Sequence, residues 1–339
     1  MVEIVIAGAG VTGLVAAVRC ARAGHRVTVV DRGPIPNHGS SSFDQHRVLR
    51  SSGSPGDGAY LHREWLRLQS LLGGGFYRRI GAVTARPVDG LDAAVGSTAK
   101  TAVVGPDSLP HMVFPENHVG VQELDAGVLL AERVLHAAVR WLRGQPTVTL
   151  RPWCEVTAVD TGAARLELSD GGAVAGDLVL VAAGVWTRGL VDTATELHRQ
   201  TVVYVRPPGE LTTWWEQAPA AAGLGADGTG WLLPPGAGTL LKLSATTMCR
   251  TVATLTEPAD ADRAAARRCR ERVLAEPDRY PVVAVKHCHY SVDARTGRAA
   301  LERVGPAVWA RAAVGGDGFR TAPLIADQIA ELAADALAA

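Results

Sequence analysis

The sequence of 339 residues has no net charge, because Lys plus Arg and Asp plus Glu both number 34. A chain without a basic excess has no electrostatic basis for binding nucleic acid or an acidic membrane surface. It also lacks a run of about 18 apolar residues, the length that a membrane-spanning helix needs. Since a strand is predicted directly at the N-terminus, we expect no signal peptide and a cytoplasmic protein.

Cysteine is scarce and dispersed. The five cysteines are odd in number and include no C-x-x-C pair. This pattern argues against a disulfide framework and against a zinc site, and it is typical of a reducing compartment. Hydrophobic residues nevertheless make up 47% of the chain, which indicates a globular protein, and the length predicts two domains.

The clearest motif lies at the N-terminus. The apolar run Glu3–Ala7 predicts a buried strand, and residues 8–13 then read G-A-G-V-T-G, a match to G-x-G-x-x-G. A predicted helix from Leu14 to Ala23 and a strand from His25 to Val30 follow. Strand, glycines, helix and strand in this order are typical of a dinucleotide-binding βαβ unit. A glycine-rich turn without a ligand is the alternative.

Four residues of this unit have separate mechanical roles. Gly8 permits a tight turn, Gly10 allows a diphosphate to approach the backbone, and Gly13 lets the helix pack closely on the strand. The N–H groups and positive end of the helix would then bind the phosphates. Asp31 lies 31 − 13 = 18 residues after the last glycine, close to the roughly 20 expected, so its carboxylate is placed to accept ribose hydroxyls.

The rest of the chain alternates between helical and strand patterns, which predicts an α/β protein, α+β overall. Helices are predicted at Tyr60–Leu72, Asp125–Arg143, Asp260–Ala275 and Pro323–Leu337. The buried segments Asp177–Trp186 and Val308–Val314 predict strands, and the first of them would return the chain to the sheet of the first unit. Residues 214–230 predict a loop or cover.

Three basic residues stand out by their position. Arg47 and Arg50 lie in a polar stretch; they are either a solvated pair or, through their planar guanidinium groups, anion ligands. Lys242 interrupts the apolar segment 240–243, where a lysine is costly unless it is paired or solvated. It either points to water from an edge strand or has a function in a buried site.

The chain resembles the D-amino-acid-oxidase-like flavoproteins, and within them monomeric sarcosine oxidase and N-methyltryptophan oxidase. The segments that carry the resemblance are Gly8–Asp31, Ser42–Arg50, Phe114–Asn117, Ala183–Trp186, Leu241–Leu243, Cys288–Tyr290 and Gly315–Arg320. The resemblance implies a discontinuous Rossmann-like FAD-binding domain (1–78, 121–202 and 293–339) and a second, mainly antiparallel-sheet substrate domain (79–120 and 203–292). FAD would lie extended, with the flavin at the domain boundary.

The resemblance also implies roles for residues of the active site. Arg47 would lie beside the flavin ring, Arg50 and Arg320 would bind a substrate carboxylate, and Lys242 would activate dioxygen over flavin N5. Trp231 and Thr246 stand where sarcosine oxidase has a tyrosine and a histidine. The implied cofactor-binding residues are Gly8, Gly10, Val11, Thr12, Gly13, Asp31, Arg32, Ser42, Arg47, Val156, Ala183, Gly184, Trp186, Cys288, Gly316, Gly318, Phe319 and Arg320.

Cys288 needs two interpretations. A single cysteine on a half-buried strand is usually a small apolar core residue. In sarcosine-oxidase-like enzymes, however, a cysteine in a Cys-x-Tyr context is attached to the 8α-methyl of the flavin, so the resemblance implies covalent FAD through Cys288. Basic neighbours favour the thiolate that such attachment needs. Attachment through His287 or His289, or non-covalent FAD, are the alternatives.

The resemblance implies oxidation of an amine or amino acid, with hydride transfer to FAD giving an imine and dioxygen giving hydrogen peroxide. Because the pocket residues differ, a secondary or cyclic amine with a carboxylate, such as a biosynthetic intermediate, is expected rather than sarcosine. Two alternatives are an NAD(P)H-dependent flavin hydroxylase, suggested by residues 316–318 (G-D-G), and a non-enzymatic dinucleotide-binding protein. No metal, nucleic acid or membrane partner is expected, and the sequence does not decide between monomer and dimer.

Overall fold

The computed structural model describes residues 1–51, 58–89, 91 and 100–338. The described helices are α1 (Val11–Arg22), α2 (Gly58–Leu72), α3 (Ala131–Arg143), α4 (Thr212–Gln217), α5 (Asp260–Val273) and α6 (Ala322–Ala338). Among these described helices, none is long and apolar enough to cross a membrane.

The strands form two large sheets and two small ones. They are β1 (Glu3–Ala7), β2 (Arg26–Val30), β3 (His46–Leu49), β4 (Tyr77–Arg79), β5 (Ala82–Pro87), β6 (Thr101–Val104), β7 (His118–Glu123), β8 (Gly127–Leu130), β9 (Val148–Arg151), β10 (Val156–Asp160), β11 (Arg165–Leu168), β12 (Ala173–Ala175), β13 (Leu178–Val181), β14 (Thr195–Val205), β15 (Ala220–Leu224), β16 (Gly230–Leu233), β17 (Leu241–Ala245), β18 (Cys249–Thr251), β19 (Val282–Asp293), β20 (Ala300–Gly305) and β21 (Val308–Ala313). The mixed α/β class is as predicted.

The six-stranded sheet has the order β20-β21-β13-β1-β2-β9 and is parallel except for β20. One face packs on α1, α3 and α6, while the other packs on the small sheet β10-β11-β12. Burial on both faces explains why β1 and β13 are continuous apolar runs. The predicted return of the chain to this sheet after Asp177 is confirmed, and β21 joins the same sheet.

The nine-stranded sheet has the order β18-β14-β17-β16-β15-β5-β7-β6, and β19 also pairs with β14. It is antiparallel except for the parallel pair of β5 and β15. The predicted domain boundaries at 120/121, 202/203 and 292/293 each fall inside one strand of this sheet, in β7, β14 and β19. The division into two domains with those ranges stays a prediction.

The structure corrects three predicted elements. The helix predicted from Asp125 begins only at Ala131, because the buried run Gly127–Leu130 pairs with β3 and β4 as a strand. A Cβ at Gly127 would lie 2.0 Å from the Arg78 carbonyl oxygen, so the two backbones approach closely there. Periodicity alone does not separate a short buried strand from the start of a helix.

The other two corrections concern strand and loop lengths. The strand predicted to Trp186 ends at Val181, and a 3₁₀ helix from Gly184 to Gly189 follows, entered by Gly184 at a φ of +60°. Residues 214–230 do not form a simple loop, since they include the end of α4 and the strand β15. β15 is rich in Ala and Gly, so its pairing with β5 and β16, rather than its own propensity, makes it a strand.

Candidate active site

A cavity of about 730 Å³ is lined by residues of both large sheets and of their loops. This volume is within the roughly 300–1,000 Å³ that small-molecule sites occupy. The predicted site residues that line it are Gly8, Gly10, Val11, Thr12, Asp31, Arg32, Ser42, Arg47, Arg50, Val156, Ala183, Gly184, Trp186, Trp231, Lys242, Thr246, Cys288, Gly316, Gly318 and Phe319. Gly13 and Arg320 do not line the cavity.

The turn from β1 into α1 has the geometry of a phosphate cradle. Gly8 has a φ of +105°, and a Cβ there would lie 2.5 Å from the Ala182 carbonyl oxygen. A Cβ at Gly13 would lie 2.0 Å from the Gly8 carbonyl oxygen. Gly13 therefore allows close packing between α1 and the turn, although it does not itself line the cavity. Gly10 is the N-cap of α1 and supplies no side-chain cap, and the first turn holds no acidic residue. The Val11 N–H donates to Ser42 Oγ at 3.0 Å, and the positive end of α1, where Gly10, Val11 and Thr12 line the cavity, favours an anion.

Asp31 lies at the carboxyl end of β2 and braces the same turn. Its carboxylate accepts hydrogen bonds from the backbone N–H of Ala9 at 2.8 Å and of Gly33 at 2.9 Å. It also accepts one from Asn37 Nδ2 at 2.7 Å. A carboxylate has about four acceptor positions, so one remains for a ribose hydroxyl. The Arg32 guanidinium lies 3.7 Å from the centroid of the Trp186 ring.

Lys242 lies on β17, which is flanked by β14 and β16, so the edge-strand interpretation is wrong. The residue is only 4% exposed, and its Nζ lies 2.6 Å from Asp44 Oδ2. Burial lowers the pKa of Lys242 and Arg47 lowers it further, while Asp44 opposes both effects. The ion pair with Asp44 therefore favours the charged form of Lys242 against the cost of burial.

Asp44 is the centre of this charged cluster. Besides Lys242, it accepts hydrogen bonds from Arg47 and from the Tyr204 hydroxyl. Burial alone would raise the pKa of Asp44, but Arg47 and Lys242 hold it well below its usual range. Asp44 was not among the predicted site residues, although it stands in the polar stretch that contains Arg47.

His46, the first residue of β3, is fully buried next to this cluster. Its Nε2 lies 3.1 Å from the Pro234 carbonyl oxygen. Burial, with a further contribution from the Lys242 charge, lowers the pKa of His46 to about 3. The ring is therefore neutral at physiological pH, and Nε2 is assigned as the donor to Pro234.

Trp231, Thr246 and Cys288 also line the cavity. Lys242 Nζ lies 5.9 Å from the centroid of the Trp231 ring. Cys288 is close enough to Arg47 and Lys242 to interact with them electrostatically. Of its predicted basic neighbours, Lys286 donates to the Phe43 carbonyl oxygen at 2.6 Å, and His287 Nδ1 lies 2.9 Å from Thr201 Oγ1. Arg47 and Lys242, unlike Lys286, line the cavity together with Cys288.

The two arginines predicted to bind a carboxylate lie close together but differ in access. Arg50 lines the cavity, with its Nη1 3.4 Å from Thr84 Oγ1. Arg320 is 3% exposed and pairs with Asp317. Burial lowers the pKa of Arg320, and Asp317 opposes this effect. The charge of Arg50 lowers the pKa of Arg320 further, so the two guanidinium groups are close enough to interact.

Arg311 is a cavity residue that sequence reasoning missed. It lies on β21 and is 4% exposed. The sequence contained a signal for it, because burying the charge of an arginine in the apolar segment 308–314 is as unfavourable as burying that of the lysine in 240–243.

The sequence and the structure both match known proteins. The family model described as FAD dependent oxidoreductase matches residues 3–332, so the chain belongs to this family. No curated protein sequence matches it significantly.

Solved structures with this fold share little sequence with the chain. A modified fructosyl peptide oxidase from Aspergillus nidulans has a TM-score of 0.82 at 17% identity, over 99% of this chain and 90% of the other. NikD, an amino acid oxidase of nikkomycin biosynthesis, has a TM-score of 0.78 at 18% identity, over 98% and 93%. Amadoriase I from Aspergillus fumigatus, a fructosyl amine:oxygen oxidoreductase, has a TM-score of 0.76 at 15% identity, over 98% and 86%. At such identities the likeness shows the fold alone.

Proposed function

From this family membership, we propose that the protein oxidises an amine or amino acid, with FAD bound in the cavity. The observation that carries the proposal is the buried Lys242–Asp44 pair in a cavity that also holds the dinucleotide turn. A buried ion pair is a poor source of stability by itself, so its place in a cavity favours a functional role. When bound, FAD supplies the hydride acceptor and then passes the electrons to dioxygen.

The cavity residues fit this cofactor. The open N-terminus of α1 would hold the phosphates, and Asp31 with Arg32 would hold the ribose at the carboxyl end of β2. Phe319 and the glycines at 316 and 318 would lie at the flavin. The proposed FAD-binding domain then comprises 1–78, 121–202 and 293–339, and the substrate domain 79–120 and 203–292.

For the substrate, we propose a secondary or cyclic amine that bears a carboxylate, such as a biosynthetic intermediate. The neighbours named above act on amino acids and on fructosyl peptides or amines, which supports this class by analogy of fold only. Arg50 would bind the carboxylate through its planar fork. Arg320 does not line the cavity but pairs with Asp317, which does. It would therefore add positive electrostatic potential at the carboxylate site without contacting the substrate. Trp231 and Thr246 would shape the pocket.

Lys242 is proposed as the site at which dioxygen reacts. Its buried amino group is paired with Asp44, which favours the ammonium form, and this cation would stabilise negative charge that develops on reduced oxygen. The product is hydrogen peroxide. An NAD(P)H-dependent hydroxylase is the alternative function, and a chain of that kind would need NAD(P)H before it consumes oxygen.

We also propose that FAD is attached covalently through Cys288, because the thiol lines the cavity beside Arg47 and Lys242. Acid precipitation is then expected to leave flavin on the protein, and the intact mass should exceed the chain mass by one FAD minus the two hydrogens lost when the thioether forms and dioxygen reoxidises the flavin. Cys288→Ser should release the flavin on denaturation. Free FAD in the supernatant of the parent protein would rule the linkage out, and attachment in Cys288→Ser would point to a histidine.

Oxygen uptake tests the proposed function. Purified protein is supplied with N-alkylated, cyclic and primary amino acids and, in parallel, with their decarboxylated analogues. The proposal predicts that one amino-acid class consumes oxygen and forms an equal amount of peroxide without NAD(P)H. Oxygen uptake that occurs only with NAD(P)H would favour the hydroxylase.

A further inference from the structure

Arg311 is a buried cation without a counter-ion among the described residues. It is 4% exposed, its Nε has no hydrogen-bond partner, and it makes no ion pair with any residue in the described ranges. Burial lowers its pKa to about 10, so the guanidinium is still charged at neutral pH. An unpaired buried charge is strongly unfavourable for a protein without a ligand. Such a group therefore indicates a missing anion.

The register of the six-stranded sheet places Arg311 beside the dinucleotide turn. Ala7, Val181 and Ala310 form one row across β1, β13 and β21. The next row is therefore Gly8, Ala182 and Arg311, at the carboxyl edge of the sheet. Two strand spacings of about 4.8 Å separate the ends of this row, a distance that a long arginine side chain largely spans.

The side chain of Arg311 leaves the sheet on the face where α1 begins. Successive residues of a strand point to opposite faces, so Arg311 shares its face with Trp309. Trp309 packs against the same core as Ile6, Leu180 and α1. Arg311 and the N-terminus of α1, which has no acidic residue in its first turn, thus contribute positive charge to one side of the cavity.

We propose that Arg311 is a ligand for the diphosphate of FAD, acting together with the N-terminus of α1. The guanidinium fork matches phosphate oxygens in a bidentate geometry. Binding of an anionic substrate group by Arg311 is a poorer explanation. Lys242, the proposed reaction site, lies on the other large sheet, whereas Arg311 belongs to the sheet of the dinucleotide turn. The assignment rests on FAD binding as proposed above.

The test measures ligand affinity rather than activity. Cys288→Ser serves as the parent, so that FAD can be removed whether or not the wild type is covalently modified. Arg311→Met is compared with Arg303→Met, which removes the same charge at an exposed position of β20 in the same sheet. FAD, ADP and riboflavin are titrated into each apoprotein by calorimetry or fluorescence.

Loss of a bidentate phosphate contact predicts that Arg311→Met binds FAD and ADP at least tenfold more weakly, while riboflavin, which has no phosphate, is unaffected. Arg303→Met should match the parent. Thermal unfolding gives a second readout: the Arg311→Met apoprotein should be at least as stable as the parent, because a buried unpaired charge has been removed. FAD should then raise its melting temperature less than that of the parent.

Unchanged ADP and FAD affinities in Arg311→Met would overturn the assignment. A destabilised apoprotein whose folded fraction binds ADP normally would make Arg311 structural instead. If Arg311→Met shifts the flavin reduction potential but binds ADP normally, Arg311 contacts the flavin ring and not the diphosphate. This result would also overturn the assignment. A parent that binds no FAD at all would overturn the proposed function, and this assignment with it.

Discussion

At the scale of single residues, the site is a set of buried charges that depend on one carboxylate. Asp44 accepts hydrogen bonds from Lys242, Arg47 and Tyr204 at once. Since each cation is costly in a buried setting, removal of one partner leaves the others uncompensated. Changes in this cluster are therefore expected to affect both chemistry and stability.

Lys242→Met tests the oxygen site. We expect flavin reoxidation by dioxygen to slow at least tenfold, because the buried cation that would stabilise reduced oxygen is gone, while anaerobic reduction by substrate changes little. Stopped-flow traces of the two half-reactions separate these effects. Lys286→Met is the control, since Lys286 contacts the Phe43 carbonyl oxygen and does not line the cavity. Equal reoxidation rates in Lys242→Met and the parent would remove Lys242 from this role.

Arg50→Ala tests the carboxylate clamp. A charged hydrogen bond contributes about 1.5–3 kcal/mol, so the affinity for amino-acid substrates should fall roughly 10- to 100-fold. Decarboxylated analogues serve as the internal control and should be affected much less. Arg320→Ala is expected to have a smaller effect than Arg50→Ala, because Arg320 pairs with Asp317 outside the cavity lining. Losses of the same size for acids and their decarboxylated analogues would argue against the clamp.

His46 predicts a dependence of stability on pH. Its pKa is about 3 in the folded protein and about 6.5 when unfolded, so the unfolded state binds the additional proton. The free energy of unfolding is therefore highest above pH 6.5 and falls as the pH drops towards 3. At pH 5 the loss attributable to His46 is on the order of 2 kcal/mol. Urea unfolding at pH 7 and pH 5 should show a smaller loss in His46→Gln, and an identical loss would contradict the assignment.

At the scale of elements, the turn between β1 and α1 combines tight packing with an open helix end. Gly13→Ala should destabilise the protein and weaken FAD binding, because the new Cβ would overlap the Gly8 carbonyl oxygen. Gly75→Ala is the matched control, since no atom of the described residues lies within 4 Å of a Cβ there. Melting temperatures and FAD titrations of the two variants check this. A Gly13→Ala protein as stable as Gly75→Ala would contradict the packing role of Gly13.

The elements also indicate what a sequence can and cannot predict. Strand β1, helix α1 and Asp31 were predictable because a local motif and a mechanical reason coincide there. The segment Gly127–Leu130 is a strand and not the predicted helix, because it pairs with β3 and β4. Both partners lie far from it in the sequence, so a local pattern does not reveal the pairing. Asp44 was missed for a related reason, because only the folded chain shows that it is buried and that it faces Arg47 and Lys242. Arg311, by contrast, could have been predicted as a site residue from its place in an apolar strand.

At the scale of the whole molecule, the cavity needs both large sheets. One contributes the dinucleotide turn and Arg311, and the other contributes Lys242 and Trp231. The predicted domain boundary at 202/203 falls within β14. This strand pairs along its length with β19, which carries Cys288. The resemblance predicted the discontinuous organisation, whereas the positions at which the chain crosses between the sheets depend on strand register.

The most direct test of amine oxidation is anaerobic mixing of the FAD-loaded protein with candidate reductants. We predict that a carboxylate-bearing secondary or cyclic amine bleaches the flavin absorbance stoichiometrically, that NADH and NADPH do not, and that admission of air restores the colour with formation of peroxide. Bleaching by NAD(P)H alone, with no response to any amine of the panel, would contradict the account and favour a hydroxylase.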